Sequence, residues 1–76
     1  MKINFTDCIA DIQVSGVRIT APIPALCIFE NPCGECWLWV NGTAMAQIGR
    51  DDAEEIRKQM AAHLDYLGWM AMESGK

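Results

Sequence analysis

Several features that specify an activity in other small proteins are missing from this sequence of 76 residues. Six residues are Lys or Arg against ten Asp or Glu, so the formal net charge is −4, and the chain lacks the basic footprint that general nucleic-acid binding needs. His63 is the single histidine, and no glycine-rich phosphate-binding loop precedes a helix. The sequence therefore does not predict an enzyme.

A long uninterrupted hydrophobic run is also missing. Polar residues interrupt the first seven positions, so no apolar signal-peptide region is recognisable. The most apolar stretch, Ile19 to Phe29, contains Pro22 and Pro24 and is too short to span a bilayer. These features predict a cytoplasmic protein without membrane contact, in which cysteines are thiols or metal ligands.

The composition that is present is that of a small globular protein. Hydrophobic residues make up 51% of the chain and charged residues 21%, which predicts one folded domain over residues 1–76. A chain of this length buries only about 60% of the surface that its unfolded state exposes. Disulfides, a metal or a partner subunit often support so small a core.

Residues 1–49 predict a small antiparallel β-meander of four to five strands. Apolar and polar residues alternate on either side of Ser15-Gly16, which suits a tight turn. Asn41-Gly42 is a strong hairpin signal, since a type I′ turn needs positive φ at both central residues. The strand candidates are residues 12–14, 17–19, 25–30, 36–41 and 44–48.

Residues 50–68 predict one amphipathic helix that packs on one face of the sheet, which gives an α+β fold. Asp51 is the expected N-cap, with Glu54 reaching back to it. Gly68 is the expected end, followed by a tail over residues 69–76, although the helix can also continue into Met72. The apolar stripe consists of Ala53, Ile56, Met60, His63, Leu64 and Leu67.

The two middle strands carry more apolar surface than one helix can cover. In residues 36–40, Trp37 and Trp39 point to one face while the alternate residues, also apolar, point to the other. Something must therefore cover the second face. The candidates are residues 69–72, the proline-containing residues 21–24, a second copy of the chain and a foreign partner.

The four cysteines allow a zinc site but do not specify one. Cys33 and Cys36 have the two-residue spacing that lets two thiolates reach one tetrahedral zinc. Cys8 and Cys27 complete four ligands only if the sheet brings them together, and reduced packing cysteines or a structural disulfide are the alternatives. A redox site is disfavoured, because the pair lies in a predicted turn rather than at a helix N-terminus.

The passage from Trp37 to Ile48, followed by the acidic residues of 51–55, resembles in its format the small accessory proteins of bacteriophages, including anti-CRISPR proteins. The resemblance covers about a third of the chain and involves no diagnostic motif. It implies inhibition by binding, in which the protein occupies a functional surface of a host defence complex.

The leading hypothesis is a non-enzymatic protein-binding module. Two alternatives stay open, which are a zinc-stabilised structural domain and an obligate homodimer. The expected partner-binding residues are Trp37, Trp39, Trp69 and Met70, with Asp52 and Glu55 on an acidic rim.

Overall fold

The computed structural model describes residues 1–74, which form six strands and one long helix and confirm the α+β class. A 3-10 turn at Ile23–Ala25 separates the strands into two groups of three. The elements are β1 (Lys2–Thr6), β2 (Ile9–Val14), β3 (Val17–Pro22), β4 (Leu26–Glu30), β5 (Cys36–Val40), β6 (Thr43–Ile48) and α1 (Arg50–Ser74).

The strands form two antiparallel sheets rather than the predicted single meander of four to five. β1, β2 and β3 make the first sheet in that order, and β4, β5 and β6 make the second. Pro22 and Pro24 explain the division, because proline has no N–H for a sheet ladder and favours the 3-10 turn between β3 and β4. The sixth strand is β1, where Ile3 and Phe5 pair with β2.

The two predicted hairpin turns are both present. Ser15 and Gly16 have φ values of 53° and 75°, and Asn41 and Gly42 have φ values of 53° and 79°. Positive φ at both central residues is the type I′ geometry, whose twist matches that of the flanking strands. These turns fix the registers of β2 with β3 and of β5 with β6.

Both sheets turn one face towards a shared apolar core. The first sheet contributes Ile12 and Ile19, and the second contributes Leu38 and Ile48. The first turns of α1 add Ala53 and Ile56, which are fully buried. Alternate residues of every central strand therefore belong to one cluster, and the opposite faces are left to solvent or to a partner.

The helix begins at residue 50, as predicted, and ends at Ser74, six residues later than the predicted end at Gly68. Ala53 donates its N–H to the Gly49 carbonyl oxygen at 2.9 Å, so Asp51 lies inside the first turn rather than at the N-cap. Gly68 is an ordinary helical residue, and α1 continues through it to Ser74, because the long helix formers on both sides outweigh one glycine. The part of the predicted tail at residues 75–76 lies outside the described residues.

No helix within residues 1–74 combines the length and the apolar character that a bilayer crossing requires.

Candidate interaction surface

The outer face of the first sheet is mainly polar. Asp11 lies at its centre, opposite Asn4 on β1 and Thr20 on β3. The Asp11 carboxylate accepts two hydrogen bonds from the Arg18 guanidinium, at 3.1 and 2.8 Å. These hydrogen bonds lower the pKa of Asp11 and raise that of Arg18. This face follows the usual rule that an antiparallel sheet buries one side and solvates the other.

The outer face of the second sheet is aromatic instead. Cys27 and Phe29 of β4 point outward, because Leu26 and Ile28 point into the core. Phe29 is paired directly with Trp37, and Cys27 with Trp39. We refer to the surface of Cys27, Phe29, Trp37 and Trp39 as the aromatic face. Phe29 is 53% exposed although it is among the largest apolar side chains of the molecule.

An apolar cleft of about 280 Å³ opens in the aromatic face. Its lining consists of Cys27, Phe29, Trp39 and Gly42. Phe29 meets Trp39 edge-on, with ring centroids 6.4 Å apart, which is a favourable arrangement for two aromatic rings. The two rings form one wall, and the small residues leave the opposite side open.

A β-bulge explains why small residues surround Trp39. Leu38 pairs with Ala46 but the next residue, Trp39, pairs with Ala44, so Met45 is the extra residue in β6. The bulge lets Ala46 face the core while Ala44 faces outward beside the indole. Trp39 therefore has Cys27 on one side and Ala44 on the other, and neither side chain is large enough to cover it.

The indole N–H of Trp39 has no hydrogen-bond acceptor, although its nitrogen is buried. A buried donor without a partner costs about 1–3 kcal/mol. The sheet therefore keeps a tryptophan here at a cost in stability, at a position where the aromatic ring is partly exposed.

A polar rim closes one end of the aromatic face. The Gln47 side chain, opposite Trp37, donates to one oxygen of Glu35 at 3.1 Å, and Asn31 donates to the other at 2.8 Å. Glu35 has no cationic partner within the described residues. An apolar centre with a polar rim is the usual anatomy of a protein interface.

The predicted partner-binding residues do not form one surface. Trp37 and Trp39 lie on the aromatic face, as expected. Asp52 is half-buried in the first turn of α1. About 27 Å of helix separate Asp52 from Met70, since each residue rises about 1.5 Å.

The acidic rim predicted from the helix is therefore not the rim of the aromatic face. Glu55 is half-buried next to the core residue Ile56 and accepts a hydrogen bond from Gln59 at 2.8 Å. The polar residues beside the aromatic face are Glu35 and Gln47 instead. Sequence reasoning missed them because their position depends on the strand register, although the outward direction of Phe29 follows from alternation along β4.

Neither internal candidate covers the aromatic face. Trp69 and Met70 continue the helix as exposed residues, at 57% and 42%. In the proline-containing segment, Pro22 and Pro24 are exposed and Ile23 packs in the core. The aromatic face is therefore left open by residues 1–72, and a second copy or a foreign partner are the candidates that stay available.

The cysteines occupy separate environments. Cys27 points out to the cleft and Cys36 points into the core, while Cys8 and Cys33 lie in exposed turns. No group of three or more Cys, His, Asp or Glu residues suited to a metal occurs in the described part of the chain. The four thiols of the zinc hypothesis are thus not brought together.

The turn that holds Cys33 is ordered by hydrogen bonds instead. The Asn31 side-chain oxygen accepts from the backbone N–H groups of Cys33 and Glu35, at 3.1 and 2.9 Å. Such an Asx turn fixes the loop between β4 and β5 from within the chain.

His63 has a structural role. Its Nε2 donates to the Asp7 carbonyl oxygen, and its ring stacks on Phe5 with centroids 5.5 Å apart. The histidine thereby fastens the middle of α1 to the β1–β2 turn. The packed role that is usual for a lone histidine on an apolar stripe accounts for both contacts.

Comparisons with known proteins do not assign the chain to a family. No family model matches it, and searches of curated proteins and of solved structures also find no match.

Proposed function

We propose that the chain is a non-enzymatic protein-binding module and that the aromatic face is its contact surface. The observation that carries the proposal is the exposed pair of Phe29 and Trp39 around an open apolar cleft. A monomeric domain gains stability by burying such rings, whereas here they face outward. Aromatic residues are enriched at protein interfaces, and Trp is among the residue types enriched at the positions that contribute most to binding.

The chemistry of the surface indicates the kind of partner. A cleft of about 280 Å³ accommodates one or two large apolar side chains rather than a flat surface. Within the described residues, the Glu35 carboxylate at the rim accepts side-chain hydrogen bonds from neutral amides only. The proposed partner therefore presents a protruding apolar side chain next to a Lys or Arg.

Substitution of Phe29 tests the surface. Phe29→Ser removes one of the two rings that form the wall of the cleft, and we expect affinity for the partner to fall at least about tenfold. Because Phe29 is half exposed and outside the core cluster, the circular dichroism spectrum is expected to stay the same. The measurement is capture from lysate of the natural host on immobilised wild-type and variant protein, followed by titration of the captured partner.

Thr20→Ser on the outer face of the first sheet is the matched control. Thr20 is exposed on β3 of the first sheet, and the change is expected to leave capture unaltered. Equal capture by wild type, Phe29→Ser and Thr20→Ser would refute the aromatic face as the contact surface. Loss of capture by both variants would assign the effect to the protein as a whole.

The bacteriophage format suggests a more specific version, in which binding blocks a host defence complex such as a CRISPR effector. This version predicts that expression of the chain restores phage plaques on bacteria with active CRISPR interference, and that Phe29→Ser does not. Plaque counts that never rise, together with Phe29-dependent capture of another protein, would reject the inhibitor and keep the binding module.

A further inference from the structure

The backbone of β4 is paired on one side and free on the other. β4 lies at the edge of the second sheet, with β5 as its neighbour. Asn41 donates its N–H to the Ala25 carbonyl oxygen at 2.9 Å, just before β4 begins, and Asn31 donates to the Glu35 carbonyl oxygen at 2.9 Å, just after it ends. These bonds place the odd-numbered residues of β4 in the hydrogen-bonded pairs with β5. The N–H and C=O groups of the even-numbered residues therefore point away from the sheet.

The outward-pointing backbone groups belong to Leu26, Ile28 and Glu30. The Leu26 N–H is used by the 3-10 turn, where it donates to the Ile23 carbonyl oxygen. Within residues 1–74, the N–H groups of Ile28 and Glu30 donate to no other element. The Ile28 carbonyl oxygen has the Cys27 thiol at 3.8 Å, which is a weak donor. The edge thus offers donors and acceptors at the spacing of an extended strand.

The other sheet edges carry features that hinder strand pairing, whereas β4 carries none of them. β1 begins with Lys2 and lies against α1, β3 ends in Pro22, which has no N–H, and β6 has the bulge at Met45. Lysine, proline, bulges and a covering helix are the usual means by which proteins block an edge. Residues 26–30 contain neither proline nor lysine, and they pair with β5 in an unbroken register.

We propose that the partner of the aromatic face contributes an extended segment, which pairs with the free edge of β4 and places one large apolar side chain in the cleft. This inference deepens the proposed function and rests on it. In strand addition, backbone hydrogen bonds give affinity and pockets for alternate side chains give specificity. β4 provides both, because its free edge lies beside the cleft of Cys27, Phe29, Trp39 and Gly42.

The strand pairing indicates which residue of the added segment enters the cleft. Residues opposite one another on adjacent strands point to the same face of a sheet. Cys27 points to the aromatic face and pairs with Trp39, so a residue opposite Cys27 on the added strand also lies on this face. That strand is about 10 Å from β5, a distance that two large side chains close over the small cysteine. The residue opposite Cys27 is therefore the large apolar one.

Charge favours a foreign segment over a second copy of the chain. The net charge of −4 makes two copies repel one another. Glu35 at the rim of the aromatic face has no cationic partner within the described residues. A segment that carries Lys or Arg near its apolar residue is attracted both by the net charge and by this carboxylate.

Amide hydrogen exchange, measured by NMR, tests the edge in the free protein. We expect the amides of Cys27 and Phe29, which bond to β5, to exchange at least about tenfold more slowly than those of Ile28 and Glu30. Equal protection of Ile28 and Phe29 would overturn the proposal, because the edge would then be covered. Protection of Ile28 that disappears on dilution would overturn it in favour of a second copy.

Random dodecapeptides displayed on phage supply the probe for the bound state. Peptides that are enriched on the immobilised wild-type protein are synthesised and titrated by fluorescence anisotropy. We expect them to contain a large apolar residue with Lys or Arg nearby, and to slow exchange of the Ile28 and Glu30 amides at least about tenfold. Enrichment of no sequence, or binding that leaves both amides unchanged, would overturn the proposal.

Two substitutions at Glu30 isolate the backbone contribution. Glu30→Pro removes an outward N–H without removing a bond to β5, and it is expected to weaken peptide binding at least about tenfold. Glu30→Ala removes the same side chain, including its ion pair with Arg50 at 3.4 Å, and keeps the N–H, so binding is expected to stay near the wild-type value. Equal affinities of the two variants would overturn the proposal. The exchange measurement on wild type decides the case in which Glu30→Pro loses its circular dichroism spectrum.

Phe29→Ser distinguishes failure of this inference from failure of the proposed function. Strand addition next to the cleft predicts that both Phe29→Ser and Glu30→Pro weaken peptide binding. Binding that falls with Phe29→Ser and not with Glu30→Pro would reject strand addition and keep the aromatic face as the contact surface. Binding that neither substitution changes would reject both.

Discussion

The two sheets have similar core-facing sides and different outer faces. Each has three antiparallel strands, a type I′ hairpin and a set of aliphatic residues in the shared core. The outer face of the first sheet has Asp11, Arg18 and Thr20 in a hydrogen-bonded group, whereas that of the second has Phe29 and Trp39 around a cleft.

The contrast separates what the two sheets share from what is particular to the second. The first sheet shows that a polar outer face is compatible with this architecture, so the fold does not require aromatic residues on the outer face of the second. The aromatic face even includes a buried indole N–H without a partner. This difference between the sheets is the observation on which the proposed contact surface rests.

The inner faces are expected to respond alike to truncation, with the largest effect on stability. Leu38 of the second sheet and Ile12 of the first are fully buried. Leu38→Ala and Ile12→Ala should each lower the free energy of unfolding by about 2–5 kcal/mol, because they leave cavities in a close-packed core. Urea titration followed by circular dichroism measures both. A loss below about 1 kcal/mol for either would show that its sheet is not part of the shared core.

Cysteine labelling distinguishes the inner from the outer face of the second sheet. Cys27 is exposed and Cys36 is buried, while Cys8 and Cys33 are exposed in turns. We expect iodoacetamide to modify the three exposed thiols at least about 100-fold faster than Cys36, which reacts when the protein opens. Mass spectrometry of peptides at successive times measures the rates. Equal rates for Cys27 and Cys36 would contradict the assigned faces.

Trp39→Phe removes the unpaired indole N–H and keeps an aromatic ring. The gain from deleting the unsatisfied donor offsets the loss of apolar area, so the free energy of unfolding should change by less than about 1 kcal/mol. Thermal unfolding of wild type and variant provides the comparison. A much larger loss would mean that the indole makes a contribution to the core that outweighs its missing hydrogen bond.

The smallest expected effect is on the polar outer face. Hydrogen bonds from Arg18 lower the pKa of Asp11 in the folded state. The ionised carboxylate therefore stabilises the folded state at pH values above the ordinary pKa of an aspartate. This contribution disappears as the pH falls through the lowered pKa. Arg18→Ala should raise the pKa of Asp11 and reduce stability slightly at neutral pH, with no difference in strong acid. An NMR titration of the Asp11 carboxyl measures the shift, and an unchanged pKa would contradict this assignment.

Local signals in the sequence predicted the elements better than their arrangement. Ser15-Gly16 and Asn41-Gly42 predicted two hairpins, and the alternation in β5 predicted that Trp37 and Trp39 share one face of the sheet. The division into two sheets depends on how the segment around Pro22 bends. Its effect on strand pairing is a tertiary property that no local pattern specifies.

The remaining differences also arise from long-range packing. Gly68 is a common helix terminator, yet α1 passes through it to Ser74. The polar rim at Glu35 and Gln47 follows from the register of β6 with β5, which a bulge shifts at Met45. Neither the bulge nor the register is encoded in a short motif, so the sequence did not predict that Glu35 and Gln47 lie beside the aromatic residues.

Photo-crosslinking from the two outer faces tests the central claim most directly. A photoreactive phenylalanine derivative replaces Phe29 in one sample and Thr20 in the other, and each protein is irradiated in lysate of the natural host. The account predicts a discrete protein adduct from position 29 that excess unlabelled wild type suppresses, and none from position 20. No adduct from position 29, or the same adduct from both positions, would contradict it.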